Sequence, residues 1–162
     1  MDIKTQICCF TGHRKIPEDK RAEIQKRLRR EIINLIRQGV SCFLAGGALG
    51  FDTMAALAVL KLKLKFPHIR LVLILPCKEQ AINWREKDQK IYALILDQAD
   101  EAIYTSMNYD ALCMQKRNRR LVDNSGICVC YLTDRAGGTA YTVNYAKKSG
   151  LRIINIASNF VI

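Results

Sequence analysis

No stretch of this sequence approaches the roughly 18 consecutive apolar residues that a membrane-spanning helix requires, so membrane insertion is not expected. The opening residues MDIKTQICCF pass straight into a strand-like run. They lack the charged segment and long apolar segment of a secretory signal, and the expected location is cytoplasmic. CxxC pairs are absent too. The seven cysteines are an odd number, and Cys8, Cys9, Cys42, Cys128 and Cys130 lie inside apolar runs, where a free thiol packs as a small hydrophobe. Cys128 and Cys130 share a strand face without zinc-finger spacing. Neither a disulfide framework nor a metal site is expected. Aromatic residues make up only 7% of the chain, which argues against an extended base-stacking platform.

Positive charge, in contrast, is plentiful. Lysine and arginine number 26 against 15 acids, a net charge of +11. Such a balance favours anionic partners: nucleotides, nucleic acid or anionic lipid surfaces. The 162 residues suit one domain, residues 1–162, large enough to bury a core without covalent staples.

Apolar runs bounded by turn residues alternate with segments of helical period along the whole length. Strands are expected at 7–12, 41–45, 69–75, 100–104, 127–132 and 151–157. Between them, Ile24, Leu28, Ile32, Leu35 and Ile36 form a helical stripe that opens near Pro17-Glu18-Asp19 and stops at Gly39. Further helices are expected at 51–65, 79–97, 109–124 and 139–149. Strands alternating with helices indicate an α/β fold: a doubly wound, Rossmann-like, mostly parallel sheet of about six strands, helices on both faces. The order of the strands is not visible at this level.

In such a sheet ligands bind beyond the carboxyl ends of the strands, and three of the loops there are chemically distinctive. Thr11-Gly12-His13-Arg14 puts a hydroxyl, an imidazole and a guanidinium at the rim, the last suited to bidentate phosphate contact. Gly46-Gly47-Ala48-Leu49-Gly50-Phe51-Asp52 joins a strand to a helix. Its glycines let backbone amides approach an anion at a positive helix N-terminus. Asp52 is either the helix cap or a partner for a ribose hydroxyl. Gly137-Gly138-Thr139, with Thr142 a turn later, repeats the strand-glycine-helix pattern. Of the cations in Lys116-Arg117-Asn118-Arg119-Arg120, Arg117 is the candidate to turn toward a phosphate.

Together TGHR at 11–14, AGGALGFD at 45–52, Arg117-Asn118 followed by LVD, and GGTAYT from Gly137 to Thr142 resemble the SLOG superfamily, in particular its YpsA-like branch. Gln80 and Trp84 also look like that branch, and the motifs span nearly the whole chain in the expected order. The resemblance implies a nucleotide-derived ligand, ADP-ribose-like or related. The ligand-binding candidates are Thr11, Gly12, His13, Arg14, Gly46, Gly47, Ala48, Gly50, Asp52, Arg117, Asn118, Gly137, Gly138, Thr139 and Thr142. Related phosphoribohydrolases carry PGGxGTxxE with a working glutamate. Here Ala136 replaces the proline and no glutamate follows, a departure that weakens the hydrolase reading. Its candidate groups are Asp52, Asp123 and Glu79, with His13 as a base. A second relative, the DNA-processing protein A family, binds single-stranded DNA. A surface made by Arg27, Arg29, Arg30 and Arg37 with the 116–120 cluster would serve that function. A small nucleotide-type ligand is the leading expectation for a partner; nucleic acid and a homo-oligomer are the others.

Overall fold

The computed structural model describes residues 2–157; the expected span 1–162 extends past them at both ends. Six parallel strands form one sheet: β1 (Ile7–Gly12), β2 (Cys42–Ala45), β3 (Arg70–Leu75), β4 (Glu101–Tyr104), β5 (Ile127–Tyr131) and β6 (Arg152–Asn155). Five helices alternate with them: α1 (Arg21–Arg37), α2 (Phe51–Lys63), α3 (Glu86–Gln98), α4 (Cys113–Asp123) and α5 (Gly138–Lys148).

Period-two alternation along the strands sorts the core into two layers. Phe10, Phe43, Leu71, Leu73 and Val129 face one side and pack with Leu28 and Ile32 of α1 and Phe51 and Val59 of α2. Their neighbours Cys9, Leu44, Val72, Ile74, Cys128 and Cys130 face the other, against Leu121 and Val122 of α4 and Val143 and Ala146 of α5. A strand buried on both faces needs apolar residues at consecutive positions, which is why β1, β3 and β5 read as unbroken hydrophobic runs. Six of the seven cysteines are buried within these layers or beside them, Cys42 is half-buried, and all seven are free thiols.

The strand order is β4-β3-β2-β1-β5-β6. The chain winds outward from β1 to β4, then returns to place β5 on the other flank of β1. Cys9 pairs with Leu44 on one side and with Cys128 on the other. The order therefore reverses between β1 and β5, which opens a crevice at their carboxyl ends.

Most boundaries fall within one or two residues of the sequence reading; the starts of α3 and α4 differ by more. Residues 79–85 are turns, so α3 begins at Glu86. The amides of Ile82 and Trp84 bond three residues back, to Glu79 and Ala81. The Gln89 side chain donates to the carbonyls of Ala81 and Ile82, so a side chain takes the acceptors a helix would use. At α4 the Asp110 carboxylate accepts the Leu112 amide at 2.9 Å, a local turn that delays the helix to Cys113. A 3-10 turn over Glu18–Lys20 precedes α1, and another, Ile3–Gln6, precedes β1.

Two basic clusters expected to share a surface are separated by the sheet. The arginines of α1 belong to the first face and those of α4 to the second, because the crossovers before the strand order reverses, α1 to α3, cover one face and those after it, α4 and α5, the other. Arg27 is also engaged, with Glu23 at 2.9 Å and the Ile156 carbonyl at 3.2 Å.

Candidate functional site

A column of aromatic rings leads from the core to the crevice. Phe43 stacks on Phe10, Phe10 meets Phe51 edge-on, Phe51 stacks on Tyr131, and His13 lies edge-on to Tyr131 at 5.7 Å between centroids. Gly12 is required here: a Cβ on it would lie 2.4 Å from the Phe51 ring. The column fixes the loop after β1 at the centre of the crevice, and that loop holds the other two.

His13 makes the connections. Its carbonyl accepts the Phe51 amide at the start of α2 (3.1 Å), and its own amide donates to the Tyr131 carbonyl (3.3 Å). Its ring Nε2 accepts the Thr133 amide, beyond β5, at 2.9 Å. An accepting Nε2 requires the neutral ring with the proton on Nδ1. Burial supports this by lowering the imidazole pKa, against a smaller opposing pull from Asp134. The histidine is thus a brace between loops, and its Nε2 is already engaged.

The loop after β2 closes on itself. Gly47 and Gly50 have φ of +71° and +79°, and a Cβ on Gly50 would lie 2.1 Å from the Arg14 carbonyl oxygen. The Ala48 amide donates to Asp52 Oδ2 at 3.2 Å, and Thr53 Oγ1 donates to the Ala48 carbonyl at 2.9 Å. The N-cap position of α2 is Gly50, without a side-chain bond, so Asp52 is not the helix cap; from the first turn it holds the Ala48 amide of the loop before the helix, one of the amides expected to face an anion. Asp52 is 6% exposed. Burial pushes its carboxyl up to about 6, against the downward pull of Arg117, the Ala48 amide and Arg14.

Arg117 comes from α4 on the opposite face, yet only 4% of it is exposed. One terminal nitrogen donates to the Gly46 carbonyl. Nε donates to Asn118 Oδ1 at 2.7 Å, and the second terminal nitrogen approaches Met114 Sδ at 3.7 Å. Burial lowers its pKa and the charge of Asp52 raises it. Among the cations of α4 it is the one the fold turns inward.

After β5, Gly137 has φ +96° and α5 begins at Gly138. Its first helical bond runs from the Tyr141 amide to the Gly137 carbonyl, so the amides of Gly138, Thr139 and Ala140 are the orphan donors of a helix N-terminus. Thr142 is buried, its hydroxyl donating to the Gly138 carbonyl at 2.9 Å; it shapes the helix start from within.

Thr11, Gly12, His13, Arg14, Ala48, Asp52, Arg117, Asn118, Gly138 and Thr139 line one cleft of about 270 Å³, together with Met114. Gly46, Gly47, Gly50, Gly137 and Thr142 shape the loops behind it and lie outside the lining. Met114 escapes the sequence reading because it carries no motif; its place one helical turn before Arg117 is the signal that could have found it. Asp123 is remote, accepting the Tyr145 hydroxyl on the outer surface at 2.6 Å, and Glu79 is exposed. Asp52 is the acid in the cleft lining.

The YspA SLOG family model matches residues 8–157. A UPF0398 protein of Halalkalibacterium halodurans is 38% identical over 129 residues, 77% of this chain and 68% of that one. DNA processing protein A from Streptococcus pneumoniae superposes with TM-score 0.68 at 14% identity, over 95% of this chain and 51% of its own. DNA processing protein A from Helicobacter pylori, described with its single-stranded DNA binding mode, gives TM-score 0.64 at 16% identity, over 96% and 68%. At such identities these two structures bear on the fold, the six-stranded α/β arrangement described above.

Proposed function

The chain belongs to the YspA SLOG family, and from that footing we propose that it binds a nucleotide-derived ligand by its phosphate in the cleft at the β1–β5 reversal. One observation carries the reading. The orphan amides of α5 and the guanidinium of Arg117 meet in one cleft, where desolvation strengthens each contact with an anion. Arg14 stands at the rim to close over the charge. Asp52, held beside Arg117, suits a ribose hydroxyl better than a phosphate oxygen. The volume, about 270 Å³, falls just below the ~300–1,000 Å³ usual for ligand sites, enough for a sugar phosphate with the rest of the molecule lying beyond.

Catalysis has less support. His13 Nε2 is engaged by the Thr133 amide, and the lining holds one acid. A titration panel of ADP, ADP-ribose, AMP and inorganic phosphate tests the binding reading. A ligand at one hundred times its dissociation constant should stabilise the fold by about 2.7 kcal/mol in thermal unfolding. No shift with any member at millimolar concentration overturns it.

A second reading, single-stranded nucleic-acid binding, rests on the outer face of α4. Lys116, Arg119 and Arg120 line an open hollow of about 480 Å³ there. The Arg119 guanidinium lies 5.9 Å from the Tyr141 ring centre and 5.7 Å from that of Tyr145. Cations beside aromatic faces suit an unstacked strand, and the Helicobacter pylori protein of this fold binds one.

A further inference from the structure

α2 is apolar on nearly every side. From Met54 to Leu60 it has no polar residue, a composition that suits a helix enclosed by protein. Yet its outer line is open. Leu57 is 36% exposed and Leu64, at the end of the helix, 88%, and with Lys61 they fall at i, i+4 and i+7. The neighbouring α1 exposes Gln25, Lys26, Arg29 and Arg30, the polar face usual for a surface helix.

Between the two helices runs a groove of about 250 Å³, which shares no lining residue with the cleft at the β1–β5 reversal. Its floor is the buried Leu28, Met54 and Leu62, and its wall the partly exposed Leu57. Arg21, Arg29 and Lys61 stand among the lining residues, and no acid does. None of these three cations has an ion pair or a side-chain hydrogen bond among the described residues. Glu23, the only acid between Arg21 and Arg29, is held by Arg27. An apolar floor under unpaired charges of one sign complements an apolar stripe flanked by charges of the other.

We propose that this groove docks an amphipathic helix of another protein, with apolar anchors on the floor and acids against Arg21, Arg29 and Lys61. Such a helix presents its anchors at i, i+3 or i+4 and i+7. The site is separate from the nucleotide cleft and does not depend on it. Three other occupants fit less well. A second copy of this chain carries the same net charge of +11 and would set cations against cations in a self-complementary contact. A nucleic-acid strand would find no aromatic ring in the lining on which to stack a base. A bilayer surface takes up apolar side chains that project, whereas Leu28, Met54 and Leu62 lie buried at the bottom of a recess.

The test uses a labelled, designed helix of roughly 18 residues, close to the length of α1, with a leucine stripe flanked by glutamates. Fluorescence anisotropy with the intact protein should show saturable binding. A version with lysine for each glutamate should bind about tenfold or more weakly, the combined effect of three exposed ion pairs. Leu57→Glu should lose binding at an unchanged unfolding temperature, since the side chain is at the surface and glutamate is a good helix former. Leu94→Glu, at a comparably exposed leucine of α3, should bind as the wild type does. The triple variant Arg21→Glu, Arg29→Glu, Lys61→Glu should reverse the preference and take the lysine peptide, a gain that misfolding does not imitate. The proposal is overturned by no saturable binding of the glutamate peptide at millimolar concentration, by equal binding of the two peptides, or by equal losses in Leu57→Glu and Leu94→Glu. Where the peptide fails, dimerisation that Leu57→Glu abolishes assigns the groove to a second copy, and Leu57-dependent binding to phosphatidylserine vesicles assigns it to a membrane.

Discussion

At Asp52 burial opposes the attraction of Arg117 and the amide of Ala48, and burial wins, since the carboxyl is pushed up to about 6. The sign of the consequence follows from proton linkage. Between about pH 4 and pH 6 the native state keeps a proton that the unfolded chain, with its ordinary carboxyl, has released. Stability therefore falls as pH rises through that window, by on the order of 3 kcal/mol at neutral pH. Asparagine mimics the protonated acid and still offers an oxygen to Ala48. Asp52→Asn should raise the unfolding temperature by several degrees at pH 7.5 and change it little at pH 4. A decrease at pH 7.5 would mean that Arg117 gains more from the carboxylate than burial takes away. Retaining an acid that costs stability is the pattern expected of a working site. In the sequence Asp52 reads equally well as a cap and as a ligand contact; in the structure Gly50 holds the cap position, and Asp52 bonds the Ala48 amide of the preceding loop while lining the cleft. Arg117 was singled out among four cations by its place in a motif, but its burial depends on α4 crossing β1 and β3, which no local pattern encodes. The His13 brace was illegible for the same reason, since Thr133 lies 120 residues away.

Between helices, the two glycine-rich N-termini look alike in sequence and differ in structure. At α2 the Phe51 amide is taken by the His13 carbonyl, and Asp52 holds the Ala48 amide of the loop before it, whereas the amides of Gly138, Thr139 and Ala140 at α5 precede the first helical bond. Thr139→Asp separates stability from binding there. An acid in the first turn of a helix adds about 0.3–1 kcal/mol through the dipole, so this variant should unfold at an equal or higher temperature. The same charge would occupy the orphan amides and repel an anion, and the stabilisation by ADP should vanish. Retained ADP protection would remove α5 from the phosphate contact. The elements themselves were largely legible, because apolar period and glycine or proline stops are local signals. The start of α3 was not. Glu79–Trp84 has helical spacing, and what prevents a helix is the Gln89 side chain holding the Ala81 and Ile82 carbonyls, a contact made from the next turn of chain.

For the molecule as a whole, alternating strands and helices implied a parallel sheet, but the order that places the crevice between β1 and β5 depends on pairings more than a hundred residues apart. That order also puts the α1 and α4 cations on opposite faces, so the charge of +11 surrounds the molecule instead of forming one track. Salt dependence then distinguishes the two ligand classes. A mononucleotide in the cleft meets few cations, and its affinity should change only a few-fold between 50 and 200 mM salt. A single strand neutralising about six phosphates along the outer face of α4 should show a log–log slope near −4, a loss of roughly two hundred-fold over the same range. The two should also respond differently to Thr139→Asp, which closes the cleft without touching that face: ADP binding is lost and oligothymidylate binding persists. If oligothymidylate binding is insensitive to salt, or disappears together with ADP in that variant, the strand is held in the cleft by its terminal phosphate and the outer face of α4 has no part in it.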